Sequence, residues 1–133
     1  MSHAQAIITG LGHAGPVRAS DQSAEQLALV AIKAALSDAG LPPGAVDAVV
    51  TESSLCPAAT PLDRIAVSAG LTGLRRSAQS TPVGAGILAA VGMACDMVDR
   101  GEADTVLTWF ATGWGSAAGG PTAYHEKMEA KAQ

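Results

Sequence analysis

Residues 87–95 read Ile-Leu-Ala-Ala-Val-Gly-Met-Ala-Cys, a run without a single polar side chain. The run lies inside a pattern that predicts a helix over 84–100, stopped by Gly101. A surface helix of an α/β protein keeps one polar face. This one is apolar all round for more than two turns, so it calls for cover on both sides. One sheet covers one side only. The other side needs a further layer, and no later element of the chain supplies it. The alternative is that water tolerates the small Ala and Gly residues, and that only Leu88, Val91 and Met93 are inside.

Around this helix the sequence alternates between strand and helix patterns. Ala6-Ile7-Ile8-Thr9-Gly10 is β-branched, ends in glycine and predicts a first strand. Ser23 and Gln26 have capping-box spacing. Leu27, Val30, Ala31, Ala34, Ala35 and Ala39 then recur at helical spacing up to Gly40, with Pro42-Pro43 behind. These features predict a helix over 24–39. A second strand over 46–51 leads into a loop over 53–61. A short helix over 63–69 is closed by Gly70, and 76–80 is a strand assigned from its place between helices. The β-branched, aromatic stretch 105–110 is the last strand. The order β-α-β-α-β-α-β implies a mostly parallel or mixed sheet with right-handed crossovers. Residues 1–121 form one lobe, and 122–133 form a polar tail with Glu126, Lys127, Glu129 and Lys131.

Composition narrows the function classes. With 28 alanines and only Trp109, Phe110, Trp114 and Tyr124 as aromatics, the core is packed from small side chains at close approach. The net charge is −4 and the 8 Lys and Arg are scattered, which argues against a nucleic-acid partner. The longest apolar stretch, 83–95, is short of the ~20 residues a membrane span needs. The run 6–11 is too short, and lacks the basic flank, for a signal peptide. Cys56 and Cys95 do not make a disulfide framework, so a reducing cytoplasm is the expected location. His3, His13 and His125 have no metal-ligand spacing, so no metal is expected. Gly10-Leu11-Gly12 with Gly15 follows a strand but lacks the spacing and the downstream acid of a dinucleotide fingerprint. His13 reads as a plain loop histidine, Glu52-Ser53-Ser54 as solvated loop polarity, and Cys95 as an inert buried thiol.

Four segments together resemble the N-terminal half of the thiolase superfamily. They are Ile7-Ile8-Thr9-Gly10-Leu11-Gly12-His13, the helix pattern 23–40, the strand 46–51, and Gly86-Ile87-Leu88-Ala89-Ala90 with Arg100-Gly101-Glu102-Ala103-Asp104-Thr105-Val106-Leu107. The resemblance covers most of residues 5–116. It implies a thiolase-type half-fold with a buried third helix. Two such halves would stack as α-β-α-β-α layers, with the third helices in the central layer. From the family strand order and their apolar content, the strands 6–10 and 105–110 are expected to be central neighbours.

The family makes or breaks carbon–carbon bonds next to CoA thioesters, so a CoA thioester is the implied substrate, with no tightly bound cofactor. Thiolases carry a nucleophilic cysteine at the head of the third helix, where the helix N-terminus favours the thiolate. The matching run here is Val83-Gly84-Ala85-Gly86, and Val83 has no nucleophilic chemistry. The backbone N–H groups of Gly84, Ala85 and Gly86 either hold a thioester oxygen or are capped by water. Full thiolases are much longer than this chain. Their fifth strand, covering loop domain, catalytic histidine and second cysteine lie in the part without a counterpart here. The sterol-carrier-associated branch offers the nearest parallel, since some of its members lack the nucleophile and act as aldol lyases on steroid side-chain CoA thioesters. The resemblance implies either an acyltransferase-like or lyase-like lobe, inactive alone, or a non-catalytic subunit assembled with a thiolase-like partner. A homodimer is the simplest way to cover the apolar helix.

Overall fold

Among the described residues there are three α-helices, and local chemistry sets both limits of the first. In the computed structural model, which describes residues 5–15, 20–52, 61–81, 85–113 and 129–130, helix α1 runs Ala24–Ala39. Ser23 Oγ accepts from the Gln26 N–H at 3.2 Å, and the Gln26 side chain accepts from the Ser23 N–H at 2.8 Å. That is the reciprocal capping box the spacing implied. Gly40 closes the helix in the left-handed region at φ 66°, and its N–H reaches back to the last-turn carbonyls. Helix α2 (Leu62–Ala69) stops the same way at Gly70, and α3 spans Gly86–Asp99. A short 3-10 turn, Pro43–Ala45, follows α1 and is not evident in the sequence pattern.

The strands are β1 (Ala48–Glu52), β2 (Arg76–Ser80) and β3 (Val106–Trp109). They form an all-parallel sheet in the order β2-β1-β3, with Ala48 opposite both Arg76 and Val106. β1 is therefore the central strand. Its Ala48, Val49, Val50 and Thr51 are all buried, as expected of a strand covered on both faces.

This order corrects the expectation for 6–10. That segment forms no strand among the described residues, and it is not the central neighbour of β3. Ile7 and Ile8 are 77% and 79% exposed. Their β-branched side chains favour extended backbone, but a strand also needs a partner for its N–H and C=O groups, and among the described residues none pairs with this one. The segment instead hangs between two helix ends. The Ala6 N–H donates to Asp99 Oδ1 at the end of α3 (2.7 Å), and the Leu11 N–H donates to Asp38 Oδ2 near the end of α1 (2.9 Å).

The helices lie on both faces of the sheet. Ala28, Ile32 and Leu36 of α1 and Ile65 of α2 meet Val49, Leu107 and Trp109 in one apolar cluster. By the two-residue alternation of strands, Ala48, Val50 and Glu52 point to the opposite face, where α3 packs. There Gly86 and Ala90 are buried, but Leu88 is 71% exposed. Helix α3 is thus covered on its sheet side, while Leu88 on its other side is exposed. Residues 122–128 and 131–133 of the predicted polar tail, and most of the predicted 53–61 loop, lie outside the described residues.

Candidate functional site

In an open parallel sheet, ligand sites form beyond the carboxyl ends of the strands. Here that edge brings together Glu52 at the end of β1, Ser80 and Thr81 at the end of β2, and Ala85-Gly86 at the head of α3. Ser80 is buried, and its hydroxyl donates to the Gly86 carbonyl at 2.6 Å. The bond staples the strand end to the first turn of the helix. Ala85, in the capping position, supplies no side-chain hydrogen bond. A Cβ on Gly86 would lie 2.3 Å from the Thr81 carbonyl oxygen and 2.7 Å and 2.8 Å from Glu52 Cγ and Cδ, so glycine lets the end of β2 and the Glu52 side chain both close on the helix head. Glu52 is half-buried there, which corrects its reading as solvated loop polarity.

Of the site residues expected from sequence, Ala85 and Gly86 stand at the head of α3, and Val83 and Gly84 lie outside the described residues, as do Cys56, His3 and His125. Cys95 lies on α3 facing a cavity on the β3 side of the sheet. His13 is exposed, and its Nδ1 accepts from the Gly15 N–H at 3.2 Å. Among the described residues no group of three or more His, Cys, Asp or Glu is placed to hold a metal, and no helix is long and apolar enough to cross a membrane. Sequence reasoning missed Ser80. A serine ending a strand just before a helix carried a signal, because a short hydroxyl side chain there can donate to the backbone of the helix's first turn.

The opposite end of the sheet is closed by a residue that the sequence pattern does not single out. Asp47 is buried. Its Oδ1 accepts from the Thr105 N–H at 2.9 Å, and its Oδ2 accepts from the Asp104 N–H at 3.0 Å and from Arg75 Nη2 at 2.5 Å. Its backbone carbonyl accepts from the Arg75 N–H at 2.8 Å. One side chain thus ties together the starts of all three strands. Burial pushes the Asp47 carboxyl up, but the Asp104 and Thr105 N–H groups and Arg75 outweigh it and hold the carboxyl below its ordinary value.

Gly10 and Gly12 serve packing rather than phosphate binding. A Cβ at either position would run into the backbone of α1, at Ala35 and Ala31 respectively. Their bare backbone lets the segment lie flat on the helix.

No family profile and no curated protein matches the chain. Solved structures do. The chain superposes on an Ltp2-ChsH2(DUF35) aldolase with a TM-score of 0.76 and 27% identity, covering 91% of this chain and 31% of that one. It also matches an acetyl-CoA acetyltransferase from Syntrophomonas wolfei, with a TM-score of 0.61, 25% identity and coverage of 77% and 27%. The chain has a thiolase-like half-fold. A 3-oxoacyl-(acyl-carrier-protein) synthase III from Aquifex aeolicus VF5 shares the fold at a TM-score of 0.58 and 22% identity, covering 67% of this chain and 29% of that one. The thiolase-like lobe spans less than a third of the length of each of these proteins. Its described strands are all parallel, which settles the choice between a parallel and a mixed sheet for this part of the fold.

Proposed function

We propose that this chain is the N-terminal lobe of a thiolase-like protein that acts on CoA thioesters by acyl transfer or carbon–carbon cleavage, and that it is catalytically incomplete without a thiolase-like partner polypeptide. One observation carries the reading: nearly all of the chain superposes on an aldolase of which it spans 31%. The acetyltransferase neighbour, named for acetyl-CoA, supports the thioester class. In this reading the backbone N–H groups of Gly84, Ala85 and Gly86 hold the thioester oxygen, while Val83 leaves the lobe without a nucleophile of its own.

A second reading, favoured by Val83 and the bare face of α3, is a non-catalytic subunit that only shapes its partner. Activity of the assembled complex separates the two. The isolated chain is expected to show no thiolysis of acetoacetyl-CoA, and Val83→Cys is expected not to restore it. Iodoacetamide-sensitive turnover at a normal thiolase rate by the isolated chain would sink the proposal. Cleavage of a β-hydroxyacyl-CoA by the complex, abolished by bulky substitution at Ala85, supports the catalytic reading. Unchanged turnover in that variant supports the structural one.

A further inference from the structure

We draw no further inference here: the strongest candidate, the cluster of the half-buried Glu52 and the buried Ser80 side chains at the head of α3, belongs to the site already described.

Discussion

Asp47 shows how much one side chain can decide in a sheet this small. Its carboxylate satisfies two backbone N–H groups ahead of β3 and the Arg75 guanidinium ahead of β2. Arg75 itself is two-thirds exposed, so solvent screens that ion pair and the backbone bonds carry most of the effect. Asp47→Asn puts an amide NH₂ where an acceptor is needed, and a loss of ~2–4 kcal/mol in stability is expected by urea denaturation. The sign with pH follows from the lowered carboxyl. A group depressed in the folded state contributes fully above its unfolded value of about 3.9, and the contribution fades as pH falls through the folded value. The stability gap between wild type and Asp47→Asn should therefore hold near pH 6 and close at acid pH. A gap that widened on acidification would contradict the assignment. Gly12 is the second decisive residue. Gly12→Ala forces a methyl into the backbone of α1, so the segment should lift and the Leu11 amide, bonded to Asp38, should lose its exchange protection.

At the scale of elements, α1 is the part most fully specified by local sequence. Cap, apolar stripe and glycine stop all coincide over Ala24–Ala39. Ser23→Ala should cost ~1 kcal/mol, and Ile32→Ala, at a position 2% exposed, ~2–5 kcal/mol; thermal or urea unfolding reads both. The strand at 76–80 was legible only from its place between helices, yet it matches β2 residue for residue. The segment 6–10 went the other way, with a strong local strand pattern and no strand. Helix propensity and capping act within a few residues, so sequence reports them well. A strand is a relation between distant segments, and local pattern is silent on whether the partner is present.

At the scale of the molecule, the feature to account for is the outward face of α3. Leu88 stands 71% exposed on the side away from the sheet, beside exposed Ala89 and Gly92. We expect the isolated chain to self-associate or to bind a hydrophobic dye at micromolar concentration, because a contiguous apolar face is seldom left to water. Leu88→Glu should raise the monomer fraction in sedimentation without lowering the melting temperature appreciably, since the side chain is outside the core. A wild-type chain that stays monomeric and binds no dye would show that this face needs no cover.

The sequence by itself determined the three helices, the limits of α1 and the α/β class. Each depends on periodicity or capping along a short stretch of chain. Only the tertiary structure decided that β1 lies at the centre, that Asp47 joins three strand starts, that Glu52 rests on Gly86, and that a cavity lies between β3 and the 6–10 segment. The physical reason is range. Asp47 meets Thr105 across 58 positions of chain, and neither residue's neighbours carry any trace of the other until the crossovers bring the strand ends together.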